Sequence, residues 1–120
     1  MTKREAAQAN FSNGYNCCQA VLVAFRDELG MGEDQAARLG SGMGGGVSRL
    51  RELCGAVSAM ALVAGYCRGY SLPDDQAGKV RTYAQIRGLV EAFQQAHGSF
   101  LCRELLSDTP VVPGPDPEPV

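Results

Sequence analysis

The chain has 120 residues, 45% of them apolar and 20% charged, with a net charge of −2. That length suits one domain with a buried core. The near-neutral charge, with scattered Lys and Arg, offers no basic footprint for nucleic acid or an anionic membrane surface. The start, MTKREAAQANFSNG, lacks the apolar stretch of a signal peptide. The longest apolar run, Leu53 to Tyr66, falls short of the roughly 20 residues a membrane span needs. A cytoplasmic protein is therefore expected, with no membrane insertion and no nucleic acid partner. There, its five cysteines should be thiols, redox groups or metal ligands, not permanent staples.

No sustained strand alternation is visible, and helical spacing recurs along the chain. Thr2 followed by Glu5 is a capping-box pattern for a first helix ending near Asn13-Gly14. A second helix is predicted over 16–29, with Cys18, Val21, Leu22, Phe25 and Leu29 on one face. Gly30 and Gly32 stop it. A short helix over 33–39 then leads into a glycine-rich loop, Gly40 to Gly46.

Ser48 is expected to cap the next helix, which runs to Tyr66. Its segment over 53–66 is apolar nearly all round, so it should be the central helix. Pro73 lies near the start of a long amphipathic helix over 74–97, with Val80, Tyr83, Ile86, Val90 and Phe93 turned inward. Ser99 can cap a last short helix, FLCRELL. The result is an all-α fold, a small helical bundle spanning 1–107. Residues 108–120 form a proline-rich, acidic tail expected to be disordered.

Three cysteines fall near helix starts. Cys17 lies in a first turn capped by Asn13 or Asn16. Cys102 follows Ser99 by three residues, and Cys54 follows Ser48 by six, which places it in the first or second turn. Helix N-termini carry unpaired N–H groups and partial positive charge. Both favour thiolate, which is the nucleophile and the metal ligand. Cys67 is too far along the central helix to meet Cys54 and is expected to be structural. Cys17 and Cys18 diverge by about 100° on a helix, so Cys17 should face a site while Cys18 fills the core.

The segments GYNCCQAVLVAF, GSGMGGG, CGAVSAMALVAG and HGSFLCRELL, in that order, resemble the redox family named for its cysteines, C_GCAxxG_C_C. The resemblance covers roughly residues 6–107. It implies a small helical protein with cysteines at fixed places and an inferred redox activity. Carried over by residue, Cys17 matches the first family cysteine, and Cys54-Gly55-Ala56 opens the CGAxxG motif. Ala59 stands where that motif has its second glycine, and Cys102 matches the cysteine before RELL. Cys18 replaces the usual alanine. The last family cysteine has no counterpart in SDTPVVPGPDPEPV.

Gly40 to Gly45 also fits G-x-G-x-x-G, but no strand precedes it and no acidic residue follows at the required distance, so it does not read as a nucleotide site. Amides at Gly42, Gly44, Gly45 and Gly46 could instead hold an anion or a cofactor carboxylate. His97, the only histidine, closes the long helix near Cys102. It suits a helix-end charge partner, or a base or ligand. The main expectation is reversible thiol/disulfide or electron-transfer chemistry by Cys17, Cys54 and Cys102 at one pocket, with a redox partner. Under that reading no cofactor is required. The alternative is a zinc or iron–sulfur site built from Cys17, Cys54, Cys102 and His97. A third reading is a non-catalytic accessory protein. The long amphipathic helix would allow a homodimer.

Overall fold

A computed structural model describes residues 1–106 of the chain. The expected proline-rich tail lies outside the described residues. Seven α-helices account for most of them: α1 (Lys3–Ser12), α2 (Cys17–Ala24), α3 (Arg26–Leu29), α4 (Glu33–Gly40), α5 (Gly55–Arg68), α6 (Gln76–His97) and α7 (Cys102–Leu105). A 3₁₀ turn, Ser41–Met43, follows α4. The only β pairing among these residues is a bridge between Leu53 and Leu101. No described helix is long and apolar enough to cross a membrane.

Local chemistry sets the first boundaries. Thr2 and Glu5 close a reciprocal capping box on α1. Asn16 does the same for α2 with Gln19, and its Nδ2 also donates to the carbonyls of Gly40 and Ser41 at 3.3 Å. The helix predicted over 16–29 is broken at Phe25. There, Lys3 Nζ from α1 donates to the Ala24 carbonyl at 3.0 Å and pairs with Glu28 at 3.1 Å. A carbonyl held by a side chain no longer continues the helical ladder.

The hub is α2, which packs against α1, α4 and α5. Its Cys18, Leu22 and Val23 are fully buried and join Leu29, Ala36, Ala59 and Val63 in one core. A Cβ at Gly40 would stand 3.0 Å from the Gln19 amide nitrogen and 3.1 Å from Leu22 Cδ1. The missing side chain lets α4 lie close on α2. The helix expected at the centre, α5, buries Gly55, Val57, Ser58, Ala59 and Val63 but leaves Leu62 and Tyr66 exposed.

The starts of α5 and α6 also differ from the sequence expectation. Ser48 does not cap α5; its amide and hydroxyl both bond back to the Gly42 carbonyl at 2.9 Å. It lies in a left-handed stretch, with φ of +65° at Gly45, +71° at Gly46, +66° at Val47, +47° at Ser48 and +64° at Arg49 and Arg51. For non-glycine residues each such angle costs about 1–2 kcal/mol. Amide bonds from Arg49 to Gly44, Arg51 to Gly45 and Glu52 to Gly46 hold the turn closed.

The second difference is α6. It begins at Gln76 behind an Asp75 cap and buries only Gly78 and Thr82. Val80 and Tyr83, expected inward, are 67% and 57% exposed, because the face of the helix turned toward α5 is the one carrying Thr82, Ile86 and Phe93. Leu22 is the largest fully buried side chain of the core. We expect Leu22→Ala to lower stability by about 2–5 kcal/mol, read as a reduced urea midpoint with unchanged slope.

Candidate functional site

Cys17 is the first residue of α2, directly after the Asn16 cap. Cys54 is the residue before α5, with extended backbone (φ −55°, ψ 133°). The helix thus starts well after the position that a Ser48 cap would give, and Cys54 precedes the first turn instead of lying in the first or second. Its amide donates to the Phe100 carbonyl at 2.9 Å, which fixes the approach to α5.

The two helix starts meet at Gly55. A Cβ there would stand 2.5 Å from Cys17 Sγ and 3.0 Å from the Cys18 nitrogen. Without one, the Cys17 sulfur reaches the mouth of α5 and faces Cys54. The Cys54 thiol is placed to donate toward that sulfur. The amides of Gly45, Gly55 and Cys18 surround the same sulfur.

This arrangement polarises the pair. Cys17 is held well below the ordinary thiol range, first by the Cys54 thiol and then by the three amides, against the opposing effect of burial. Cys54 is pushed up, first because it gives its proton to Cys17 and then by burial. The amides of Ala56 and Val57 partly offset this. Cys18 is fully buried in the core; burial and the neighbouring Cys17 charge raise it to about 11. Side by side in sequence, Cys17 and Cys18 therefore have opposite characters.

Cys102 is the first residue of α7 and is buried. Leu101 precedes the helix. Ser99, the expected cap, instead accepts from the Leu101 amide and donates to Glu104 Oε1 at 2.8 Å. The Cys102 amide donates to the Glu52 carbonyl at 2.6 Å. Cys54 and Cys102 thus flank the Leu53–Leu101 bridge as diagonal neighbours, a relation that spans roughly 7–8 Å. The Cys102 sulfur accepts from Arg51 Nη1 at 3.8 Å, and Arg51 is only 7% exposed. Arg51 had no signal in the sequence, since nothing there marks the left-handed turn that buries it.

The glycine loop serves the thiols. The Gly45 amide is directed at Cys17, so the anion it favours is the protein's own thiolate. A Cβ at Gly44 would stand 2.7 Å from the Asn16 side chain, and one at Gly46 would stand 2.7 Å from Cys102 Cβ. The space beside both is filled by protein. Gly42 alone of the four has open space beside it. His97 is exposed, and its ring lies tilted against Phe93 with centroids 4.5 Å apart. Among the described residues, no three His, Cys, Asp or Glu side chains are grouped to hold a metal ion. Cys67, expected to be packed, is exposed.

A family model, "Putative redox-active protein (C_GCAxxG_C_C)", matches residues 15–118. The chain belongs to this family. No curated protein and no solved structure matches it. Gly55, the residue after Cys54, has a physical reason to carry no side chain: one there would strike the Cys17 thiol.

The proton balance gives a pH prediction. Unfolded, Cys17 keeps its proton up to the ordinary value of 9.0, whereas folded it has released it above about 5. The folded state therefore binds fewer protons between about 5 and 9, and stability rises with pH across that window. The gain is lost as pH falls through about 5. Melting curves from pH 5 to 8 should show this rise, and Cys17→Ser should flatten it. In parallel, the alkylation rate of Cys17 should titrate far below an ordinary thiol. Cys54→Ala should move that midpoint up toward 9.0, while Cys54→Ser, which keeps a donor, should move it less.

Proposed function

We propose that Cys17 and Cys54 form a dithiol/disulfide couple, with Cys17 as attacking thiolate and Cys54 as resolving thiol. One observation carries the reading: the Cys17 sulfur lies at a helix start, ringed by three amides and facing the thiol of Cys54. Membership in a redox-active family agrees with it.

The Cys17 thiolate attacks one sulfur of a substrate disulfide, forming a mixed disulfide and expelling the other half as thiolate. The expelled thiolate accepts a proton. With Cys17 bonded, Cys54 no longer faces a negative sulfur, so its main reason for staying protonated is gone. The Ala56 and Val57 amides then favour its thiolate. Cys54 loses its proton to solvent and attacks Cys17 Sγ, which releases the second half of the substrate. Two protein thiols are oxidised to one disulfide, and the substrate disulfide is reduced to two thiols. A protein or low-molecular-weight disulfide is the partner class, and a reducing cytoplasm suits the couple.

Cys102 has a supporting place in this scheme. Its Cβ rests against Gly46, next to the Gly45 amide that faces Cys17. It therefore helps to seat the loop that stabilises the thiolate.

Mild oxidation followed by peptide mapping tests the assignment. The expected product is a single Cys17–Cys54 disulfide with loss of two titratable thiols, preserved in Cys102→Ser. Cys54→Ser should stall at a mixed disulfide on Cys17. A cross-link that maps to Cys102 or Cys67, or folded protein whose Cys17 resists oxidation, would overturn the proposal.

A further inference from the structure

The thiol chemistry leaves one large feature unused, a groove of about 680 Å³ between α2, α5 and α6. Its α5 wall is Ala56, Met60, Val63 and Cys67, and its α6 wall is Thr82, Ile86, Leu89 and Phe93. Both sets alternate spacings of three and four residues, the pattern of two helical seams that face each other. Such seams usually interlock. Here they stand apart, and Val21 and Phe25 of α2 line the space between them.

Size narrows the occupant. Small-molecule sites of about 300–1,000 Å³ with mostly apolar walls and a few polar groups match the groove. Along α5 the groove runs from Ala56 to Arg68, about 18 Å at the helical rise.

The polar groups are few and separated. Thr82 is 7% exposed, and its buried hydroxyl has no hydrogen-bond partner among the described residues. A helical threonine divides between two χ1 rotamers, so that hydroxyl can be drawn toward a ligand. Glu28 and Arg68 also line the groove. Glu28 is already paired with Lys3 at 3.1 Å, which leaves Arg68 as the cation at that mouth. The opposite end adjoins the thiol pair, since the Ala56 amide lies beside Cys54.

We propose that this groove binds an elongated, apolar small molecule with one anionic head, its body between the α5 and α6 seams and its head at Arg68. The ligand class is an aliphatic or aromatic carboxylate, sulfonate or comparable amphipathic anion. This site is separate from the Cys17–Cys54 couple, although its inner end lies next to it.

Titration with 1-anilinonaphthalene-8-sulfonate, followed by fluorescence, tests the site. Saturable binding of one equivalent is expected. Ala64→Trp, which fills the groove from α5, and Leu89→Glu, which sets a negative charge on the partly exposed α6 wall, should each weaken it at least about tenfold. Arg68→Gln should weaken it by about three- to tenfold. Tyr66→Ser, on exposed surface outside the groove, should leave it unchanged. Leu89→Glu keeps the test decisive if Ala64→Trp does not fold.

Unsaturable binding, equal affinity in the groove variants, or loss in Tyr66→Ser would overturn the proposal. A dimer that excludes the probe and dissociates on Leu89→Glu would do so as well, in favour of self-association. Repeating the titration on Cys17→Ser/Cys54→Ser should give unchanged binding, so the groove and the thiol couple succeed or fail separately.

Discussion

The structure depends on the close approach of two helix starts at Gly55. Removing a single Cβ lets the first residue of α2 and the residue before α5 bring their sulfurs face to face. Each helix contributes oriented amides, which act on the sulfurs alongside the contact between the two thiols. The pairing is asymmetric. Cys17 has three amides and a donor thiol around it, whereas Cys54 has two amides and the more burdened position beside a thiolate. Desolvation opposes charge on both, so the balance is decided by which sulfur collects more donors.

The remaining architecture supports that meeting point. Because α2 is the hub, Cys17 is anchored through Cys18, Leu22 and Val23 to the core. Asn16 ties the same end to the carbonyls at Gly40 and Ser41. The left-handed turn brings the Gly45 amide over the sulfur from the other side. Its unfavourable backbone angles are offset by the hydrogen bonds that close it and by burial of Arg51 against Cys102. Strained backbone of this kind persists only where the surroundings over-determine it.

Much of this was legible in the sequence, for identifiable reasons. Capping chemistry is local, so Thr2, Glu5 and Asn16 marked two helix starts. Periodicity separated Cys18 from Cys17 because adjacent helical side chains diverge. The glycine loop was recognisable as a loop, but its hand was not. Val47, Ser48 and Arg49 give no sign of positive φ, and Ser48 looked like an ordinary cap. That misplaced the start of α5 and hid Arg51. The inward face of α6 was also misjudged at Val80 and Tyr83, because an amphipathic stripe does not say which part of it meets a partner helix. Convergence of Cys17 with Cys54 rests on tertiary contact, which no local rule supplies; the family pattern pointed to it without giving a geometry.

The separation of the two cysteines along the chain has a consequence for the protein's life history. In redox motifs with neighbouring cysteines, the reactive sulfur exists as soon as that short segment forms. Here, α2, the glycine turn and α5 must all dock before Cys17 acquires its surroundings. A chain still emerging from the ribosome, or one that has come apart, carries only sluggish thiols. The lowered proton affinity of Cys17 therefore arrives together with the native state.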